Sequence, residues 1–389
     1  MSISRIELAL RVGDGLPDPA PGELMRALRK VEVTQKDEAP CGFQLSFLAE
    51  PQEGQADFTS VRNELLQPFK RVLIRVAVDG VPTTLIDGFI THQQYMPSNG
   101  PDDSMFVVTG EDVSVKMDLL EFSREFPSFA DYITVLEVLA PYAVVLGIEP
   151  DVTPSATSLV PIGYVPQQDG TDRCVLQQLA QQNGYVFFVM PKDELFSNTA
   201  YWGPPPRYGG PSAILDVAVG AGSTVDSVQA ELDALAPVTY WGFSIETWIP
   251  PYIPLPVLTT TSERTPPLAS RPALGPGTFL GLDVKHQLWR QDQYDPIRAN
   301  IKAQAMTDAS TDGVVTLSCD VSPVRVGQVV TAPGVVGVRG TGDSYDGLYY
   351  LKSATHTINL LHDEQWNYNQ SLVMTREGVG TTTQTLEVA

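Results

Sequence analysis

Residues 176–189 read LQQLAQQNGYVFFV, a helix pattern that passes through a turn signal into a strand pattern. Apolar side chains at helical spacing in Val175–Ala180 predict an amphipathic helix, and Asp172 is its predicted N-cap. The pair Asn183-Gly184 suits a left-handed helix end, because glycine adopts a positive φ without strain. The apolar run Tyr185–Met190 then predicts a buried strand. This stretch is therefore expected to be a compact unit of helix and strand.

A second helix pattern precedes this unit. Apolar residues recur at i, i+3, i+4 and i+7 within Tyr132–Leu139, and Ser128 is a candidate N-cap. Pro141 is expected to end or bend this helix, because proline lacks the amide donor that the helix interior requires. We therefore predict an α/β middle domain over residues 119–212.

The first region, residues 1–118, has mostly strand patterns. Alternation in Arg71–Asp79, an Asp-Gly turn signal at its end and the apolar segment Leu85–Ile90 predict a β-hairpin. Met105–Thr109 predicts another strand, and the spacing of apolar residues in Glu23–Arg29 predicts one short helix. We assign this region to a first β-barrel domain.

The third region, residues 213–380, returns to strand patterns, and both Val315–Val321 and Trp366–Thr375 alternate clearly. Residues 250–276 are dense in Pro, Thr and Ser and predict an extended surface loop, because proline cannot donate to a sheet ladder. The similar makeup of the first and third regions suggests two related barrels, although no sequence repeat is evident. Residues 381–389 are assigned to a C-terminal tail.

The composition limits the possible partners. The 389 residues imply two or three domains, and the 46 acidic against 25 basic residues give a net charge of -21. Such a charge repels nucleic acid and anionic membrane surfaces, so stable nucleic-acid binding is not expected. No apolar run approaches the roughly 18 residues that a membrane span needs, so membrane insertion is not expected either.

The cysteines and the N-terminus favour a reducing compartment. Cys41, Cys174 and Cys319 are odd in number and lack C-x-x-C spacing, which argues against a disulfide framework and a zinc thiolate site. The opening MSISRIELALRVG lacks the charged start and apolar core of a secretory signal, so we expect no such signal. We interpret Cys319 and Cys174 as packing residues rather than reactive thiols.

No catalytic or cofactor-binding residues are predicted. The sequence has no G-x-S-x-G elbow, no H-E-x-x-H, no glycine-lysine phosphate loop and no complete G-x-G-x-x-G after a strand. The pairs Glu111-Asp112 and Glu121 with Glu125 could serve glycoside chemistry, which needs two acids. In so acidic a chain, however, such pairs arise by chance.

No metal ligands are predicted. His356 and His362 are six residues apart, too far for a metal pair on one strand, and a solvated strand face is the default interpretation. The loop Asp343–Gly347 has some calcium-ligand character but lacks the further spaced oxygens and the closing glutamate, so a plain turn is the preferred interpretation.

Several blocks in a fixed order resemble the baseplate hub family of contractile phage tails. That family includes late control D proteins and the hubs of phage-tail-like injection systems, and it is similar to the hub half of type VI secretion spike proteins. The resemblance covers residues 4–376 and is carried by IELALRVGDGLPDPAPGELMRALRKVEVT (6–34), CGFQLSF (41–47), LLQPFKRVLIRVAVDGVPTTLIDGFITHQQ (65–94), GEDVSVKMDLLEF (110–122), LQQLAQQNGYVFFV (176–189) and GLYYLKSATHTIN (347–359).

The resemblance implies an α+β, mainly β fold in which two tube-type β-barrel domains flank an α/β insert. It further implies a homotrimer with pseudo-sixfold symmetry, a structural adaptor without enzymatic activity, assembled in the cytoplasm into a phage tail or an injection-system baseplate. Its implied partners are a trimeric spike, an inner tube or tube-initiator protein, and baseplate wedge proteins. Because the sequence ends at Ala389 without a spike barrel, we expect the spike to be a separate protein. The acidic balance would suit a channel that must not bind passing DNA or acidic cargo.

Two other classes of function stay open at this point. An intracellular β-rich glycoside hydrolase would show a pocket with perturbed acids and convergent donors. A monomeric binding module would lack large apolar surfaces for contacts between copies.

Overall fold

A computed structural model describes residues 6–49, 64–98, 104–126, 130–155, 167–217, 222–245, 254–275, 283–290, 296–361 and 365–382. Strands predominate in these ranges and most of them pair antiparallel, so the α+β, mainly β fold class is confirmed. None of the helices in the described ranges combines the length and apolar character that crossing a membrane requires.

The strands are β1 (Ile6–Gly13), β2 (Asp18–Pro19), β3 (Leu28–Lys36), β4 (Gly42–Leu48), β5 (Arg71–Val78), β6 (Val81–Met96), β7 (Met105–Asp112), β8 (Glu121–Glu125), β9 (Ile148–Val152), β10 (Gln167–Thr171), β11 (Val186–Pro191), β12 (Asn198–Gly203), β13 (Ile214–Asp216), β14 (Val225–Leu232), β15 (Val238–Ile245), β16 (Pro254–Leu258), β17 (Ala269–Pro272), β18 (Lys285–Leu288), β19 (Val315–Val321), β20 (Gly334–Arg339), β21 (Gly347–Leu360), β22 (Trp366–Arg376) and β23 (Gly378–Thr381). The α-helices are α1 (Gly22–Ala27), α2 (Asp131–Leu146), α3 (Asp172–Gln182), α4 (Pro296–Asp312) and α5 (Pro323–Val326), and two 3-10 helices span Glu64–Leu66 and Val113–Asp118.

One large sheet carries strands from both β-rich regions. Its strand order is β14-β19-β22-β21-β3-β4-β7-β6-β5-β1-β2, and β20 with β13 attaches beside β21. At its centre β3 pairs antiparallel with β21, in register from Lys36 opposite Ser353 to Lys30 opposite Asn359. The first and third regions are therefore joined by backbone hydrogen bonds into a single sheet. We call this β3·β21 pairing the seam.

Separate apolar cores lie under the two halves of the sheet. Val31, Leu45 and Phe106 belong to a cluster formed mainly by the first region, which β21 and β22 complete with Ile358 and Tyr368. The third region forms a second cluster, which includes Leu317, Tyr349, Leu351, Leu372 and Met374. Each half of the sheet thus buries one face on a core of its own.

The helix and strand unit predicted around residues 172–190 is confirmed. Helix α3 packs on the sheet β11-β12-β9, and the fully buried Trp202 donates its indole N–H to the Leu176 carbonyl at 3.2 Å. Tyr185 packs edge-on against Trp202 with ring centroids 4.8 Å apart. Gly184 ends the helix at φ 68, the left-handed conformation that the sequence predicts.

The two predicted helix caps are wrong in detail. Thr171 caps α3, because its side chain accepts from the Cys174 amide, whereas Asp172 is the first helical residue. Residue Ala130 holds the N-cap position of α2 and Ser128 lies outside the described residues. Pro141 does not end α2, which continues to Leu146.

The predicted hairpin is confirmed, since β5 and β6 pair antiparallel across a tight turn. Asp79 and Gly80 both have positive φ, 50 and 84, which is the type I′ arrangement that Asp-Gly favours. The strand predicted at Met105–Thr109 is present as β7, and the short helix predicted at Glu23–Arg29 is present as α1.

The Pro-rich stretch of residues 250–276 is not a loop throughout, because it contains β16 and β17. In the three-stranded sheet β16-β15-β18, β16 is an edge strand. Pro254 and Pro256 are two residues apart, so their missing amides fall on the same edge, which an edge strand tolerates. Helix α4 was not predicted, because it packs small residues, Ala299 and Ala303, against the neighbouring strands and its apolar spacing is irregular.

Candidate assembly surface

One face of the large sheet is polar across both halves of the molecule. It extends over eight consecutive strands, β14-β19-β22-β21-β3-β4-β7-β6, whose opposite face lies on the two apolar cores. The side chains on this face are mostly hydroxyls and amides: Ser227, Gln229, Thr316, Ser318, Asn367, Asn369, Ser371, Ser353, Thr355, Thr357, Asn359, Thr34, Gln44, Ser46, Thr109 and Gln94. We call this surface the polar face.

Hydrogen bonds link neighbouring strands across the polar face. Asp320 accepts from Ser227 at 2.7 Å and from Ser371 at 2.6 Å, and these two bonds lower its pKa. In the same row the hydroxyls of Thr355 and Thr34 lie 3.3 Å apart across the seam. The polar face therefore continues without interruption from the third region into the first.

Few charges lie on this face, although the whole chain carries -21. The carboxylates on this face include Glu32, Glu111, Glu231, Asp320 and Asp87; Glu32 is paired with Lys30 at 2.7 Å and the buried Asp87 with Arg71 at 2.6 Å. Most of the acidic residues of the chain must lie elsewhere. A wall of hydroxyls and amides offers neither strong attraction nor strong repulsion to a charged molecule passing it.

One edge of the polar face has no further strand partner among the described residues. At this end, β14 bonds β19 along Val225–Leu232 and has no other described strand neighbour. At the other end, β6 pairs with β5 from Val81 to Phe89 and with β7 from Gly88 to Met96. An unpaired strand edge, such as that of β14, exposes amide and carbonyl groups that can pair with another chain.

Buried polar side chains hold the seam from the core side. His356 is fully buried, with its Nδ1 at 2.7 Å from the Tyr368 hydroxyl and 3.0 Å from the Gln370 amide nitrogen, and its Nε2 at 3.1 Å from Oε1 of Gln35. Burial lowers the His356 pKa to about 3, so the imidazole is neutral at ordinary pH. The expectation of a solvated strand face is therefore wrong for His356, and His362 lies outside the described residues.

Gln35 and Gln370 extend this network to backbone that follows α5. Gln35 accepts from the Ala332 amide at 3.0 Å and donates to the Leu85 carbonyl at 2.9 Å. Gln370 donates to the Val330 carbonyl at 2.7 Å. Gln35 thus ties the first and third regions together beyond the strand pairing itself, and Gln370 fixes the same backbone segment within the third region.

A buried ion pair connects the first region to the middle region. Arg71 donates to both carboxylate oxygens of Asp87, at 2.7 and 2.6 Å, and Asn198 donates to the same carboxylate at 3.0 Å. Both charged side chains are almost fully buried. A bidentate, fully hydrogen-bonded pair of this kind fixes the relative position of the elements that carry it.

The candidate carboxylates of a hydrolase have structural partners. Asp112 is buried and accepts from the amides of Cys41 and Ser114, at 2.6 and 2.9 Å, and desolvation raises its pKa to about 6. Glu111 accepts from Arg173 at 2.8 Å. Glu121 and Glu125 lie exposed on β8.

The remaining sequence candidates also have simple roles. Asp346 accepts from the amide and the hydroxyl of Thr341, both at 2.7 Å, and so closes the turn before Gly347. Among the described residues no cluster of three or more His, Cys, Asp or Glu side chains could hold a metal ion. Cys319 is buried in the core as predicted, and burial raises its pKa to about 12, whereas Cys174 is only half-buried and accepts from Gln178 at 3.2 Å.

A cavity of about 220 Å³ lies where the middle region meets α4, and the charged groups Arg207, Arg264 and Asp308 in its lining have hydrogen-bond partners. Arg207 donates to Glu377 at 2.9 Å and to Asp312, and Arg264 donates to Asp312 at 2.9 Å. Asp308 accepts from the Glu263 amide at 2.8 Å. These groups join elements to one another rather than converge on the empty space.

The same arrangement of elements occurs in solved tail proteins. The 43 kDa tail protein of prophage MuSo2 from Shewanella oneidensis superposes with a TM-score of 0.64 at 12% identity, covering 96% of this chain and 98% of that one. The tail protein from Neisseria meningitidis MC58 superposes with a TM-score of 0.61 at 12% identity, covering 97% and 98%. The chain has the fold of phage tail proteins.

The tail-protein fold also occurs inside a longer chain. A chain of the Francisella PdpA-VgrG complex superposes with a TM-score of 0.56 at 10% identity. The superposition covers 100% of the present protein but 55% of that chain. No protein-family model and no curated protein sequence matches the chain. The resemblance to baseplate hubs is thus confirmed at the level of the fold, and the named neighbours are tail and secretion components rather than enzymes.

Proposed function

We propose that this protein is a structural baseplate hub of a phage tail or contractile injection system, and that it adapts a threefold spike to a sixfold tube. One observation carries the proposal: the polar face runs across both halves of the sheet, which the seam joins, and ends at the edge strand β14. The tail-protein fold supports it. In this role the protein has no catalytic activity and no cofactor.

In this proposal the chain contains two barrel domains, residues 1–118 and 213–380, on either side of an α/β middle domain, residues 119–212. The separate apolar clusters under the two sheet halves support two barrel units, and the cluster around Trp202 supports a third unit. The proposed domain boundary at 380 assigns residues 381–389 to a C-terminal tail, of which only Thr381 and Thr382 are described.

The ring closes when the edge of β14 in one copy pairs with a strand of the next copy. Each copy then contributes two similar halves, so three copies present six equivalent positions around a central passage. A heterologous contact generates a closed ring only when its rotation closes, and in a closed trimer the β14 edge of every copy is paired. The polar face would line the passage.

The partners follow from this geometry. A tube or tube-initiator ring would sit on one side of the sixfold collar, a separate trimeric spike on the other, and wedge proteins around the outside, all assembled in the cytoplasm. A mostly uncharged wall would let cargo of either sign pass without adsorption, while the negative charge elsewhere keeps nucleic acid from binding stably.

A proline scan of β14 tests the ring. Successive amides of a strand point to opposite edges, so prolines at alternate positions from Ser227 to Glu231 either break bonds to β19 or only block the unpaired edge. The prolines that break bonds to β19 should lower the thermal stability of the monomer. The prolines that only block the unpaired edge should leave that stability unchanged but abolish the trimer in light scattering.

The two sets are matched controls for each other, since they place the same residue in the same strand. Trimers that persist in every folded variant would contradict the proposed closure.

A further inference from the structure

Helix α2 is apolar on two sides, and only one of them is covered. Its inner side packs into the apolar core of the middle region, which contains Val135 and Leu139. On its outer side Leu136, Ala140 and Val144 recur at intervals of four residues, and all three are exposed. A helix at the surface of a folded protein normally turns charged or polar residues outward. The outer side of α2 therefore has the character of a surface that another molecule covers.

The most exposed apolar side chains lie at the end of this helix and in a nearby turn. Among the described residues, the three largest exposed fractions of large apolar side chains are 89% at Val144, 75% at Val145 and 71% at Leu16. Val144 and Val145 belong to the last turn of α2, and Leu16 lies between β1 and β2. Exposed apolar side chains that are gathered in one place mark an interaction site, whereas single scattered ones need no explanation.

One buried guanidinium gathers these segments. Arg71 donates to the Gly15 carbonyl at 3.1 Å and to the Leu146 carbonyl at 3.5 Å. Its guanidinium carbon also lies 5.2 Å from the centre of the Phe196 ring, in the turn between β11 and β12. The β1–β2 turn, the end of α2 and the β11–β12 turn therefore meet at Arg71.

Each residue that Arg71 contacts in these segments has an exposed apolar neighbour in the chain, and these neighbours are Leu16, Val145 and Leu195. Because consecutive Cα atoms are about 3.8 Å apart, the three side chains start within roughly 10 Å of the guanidinium. We call Leu16, Val144, Val145 and Leu195 the apolar patch.

The apolar patch has a rigid base. Arg71 binds both oxygens of the buried Asp87, and Asp87 accepts from the Asn198 side chain at 3.0 Å. The Asn198 amide donates to the Gly147 carbonyl just after α2 at 2.9 Å. These bonds hold the three segments in place within one copy. A preformed surface of this kind loses little conformational entropy when a partner binds.

The rim of the apolar patch is acidic. Its exposed carboxylates outnumber the cations beside them: Asp14, Glu137, Glu149, Asp193 and Glu194 against Lys70, Arg75 and Lys192. Lys70 is paired with Asp14 at 2.6 Å, and Lys192 is paired with Glu149. Arg75 donates to the Asp193 backbone carbonyl at 3.0 Å rather than to a carboxylate. The rim therefore keeps a surplus of negative charge.

We propose that the apolar patch binds a basic amphipathic segment of a partner protein, in which apolar side chains are flanked by lysine or arginine. Charge complementarity favours this occupant, because both the rim and the whole chain at -21 attract cations. A second copy would bring the same carboxylates against one another, and an anionic membrane would be repelled for the same reason. The inference goes beyond the proposed hub function, because the patch is complete within one copy and needs no ring.

Peptide binding to the full chain tests the inference. The probe is a fluorescein-labelled, helix-forming peptide of leucine and lysine, and fluorescence anisotropy measures its dissociation constant. The Val144→Ser, Val145→Ser variant should raise this constant at least about tenfold, because the burial of two valine side chains is lost. Serine at these exposed helix positions costs little helix propensity, and unchanged circular dichroism would show that the variant folds.

The matched control is Trp241→Ser with Phe243→Ser on β15, an exposed apolar pair in another element. The control should bind the peptide like the wild type. If the patch variant left the dissociation constant unchanged, or if only the control raised it, the peptide would not bind at the apolar patch and the inference would be wrong.

A second variant tests the charge argument without changing an apolar side chain. Glu137→Lys with Glu194→Lys should raise the dissociation constant about fivefold or more, because two attractions become repulsions. A peptide with glutamate in place of lysine should not bind the wild type. Equal binding of the lysine and glutamate peptides would contradict a basic partner.

The other possible occupants are separate outcomes. If the Val144→Ser, Val145→Ser variant formed fewer oligomers than the wild type in light scattering, a second copy would be the occupant. If the same variant lost binding to vesicles of phosphatidylglycerol that the wild type shows, a membrane would be the occupant. Either result would overturn the inference of a basic protein partner.

Discussion

At the scale of single residues, the polar groups buried at the seam decide how the two halves meet. His356, Gln35, Gln370 and Tyr368 satisfy one another and the surrounding backbone, so their burial costs little while they are complete. Removing one member leaves the others without partners inside the core. Such networks favour one arrangement of the strands over alternatives that would leave donors unpaired.

Replacing His356 with Leu should lower the free energy of unfolding by about 1–3 kcal/mol, because Tyr368 and Gln370 lose a buried partner. Urea unfolding followed by fluorescence measures this. The control is Thr357→Ser on the polar face of the same strand, which should change stability by less than about 0.5 kcal/mol. If the two substitutions changed the free energy of unfolding equally, the hydrogen bonds of His356 would not stabilise the folded protein.

Asp37 should make the stability pH-dependent. It is almost fully buried at the end of β3 and accepts from the Tyr350 hydroxyl at 2.9 Å, and desolvation raises its pKa to about 6. The folded protein therefore holds the Asp37 proton more tightly than the unfolded chain does. The stabilisation that protonated Asp37 gives the folded state is complete below pH 4 and is lost as the pH rises through 6.

The Asp37→Asn variant should lack this loss. Between pH 4 and pH 8, the wild type should lose roughly 2–3 kcal/mol more than the variant in urea unfolding. Parallel pH profiles for the two proteins would contradict the raised pKa.

At the scale of elements, glycines set how closely strands approach. At Gly110 in β7 a Cβ would lie 2.2 Å from the Phe89 carbonyl oxygen and 2.4 Å from the Phe43 ring. At Gly42 in β4, opposite Glu111, the nearest atom would be 3.6 Å away, which is ordinary contact. Gly110 is therefore a packing requirement and Gly42 is not.

Gly110→Ala should lower the melting temperature by several degrees or prevent folding, whereas Gly42→Ala should shift it by no more than about 2 °C. Differential scanning calorimetry compares the two. Equal melting temperatures would mean that β6, β4 and β7 do not approach as closely as described.

The elements that sequence predicted are those with local signals. The Asp79-Gly80 turn and helix α3 are specified by residues within a few positions, so pattern and turn chemistry suffice. Helix α4 was missed because its packing face is made of alanines. The strand β16 was missed because its prolines become acceptable only at a sheet edge, and an edge is a property of the assembled fold.

The seam could not be predicted from the residues alone. It pairs Val31 with Ile358, so its partners are far apart in sequence and no turn fixes their register. No sequence pattern singles out Gln35 or Gln370, and their burial follows only from the strand pairing. The alternating Ser, Thr and Asn residues in β21 and β22 did indicate a polar strand face. The continuity of this face across the seam could not be predicted from them.

At the scale of the whole molecule, charge opposes assembly. Each copy carries -21, so copies repel one another, and salt screens this repulsion within about 10 Å at 0.1 M ionic strength. Apolar contacts and strand pairing are not weakened in the same way. Salt should therefore favour the ring.

Raising sodium chloride from 50 to 500 mM should increase the trimer fraction at fixed protein concentration. Analytical ultracentrifugation measures this fraction. A trimer that dissociates as salt is added would instead indicate ion pairs between copies as the main contact.

Averaged electron-microscopy images of the purified oligomer, viewed along its symmetry axis, distinguish the proposed ring from other assemblies. We predict three copies arranged as six similar lobes around an open passage. A closed disc, a twofold dimer or a threefold particle without six similar lobes would contradict it.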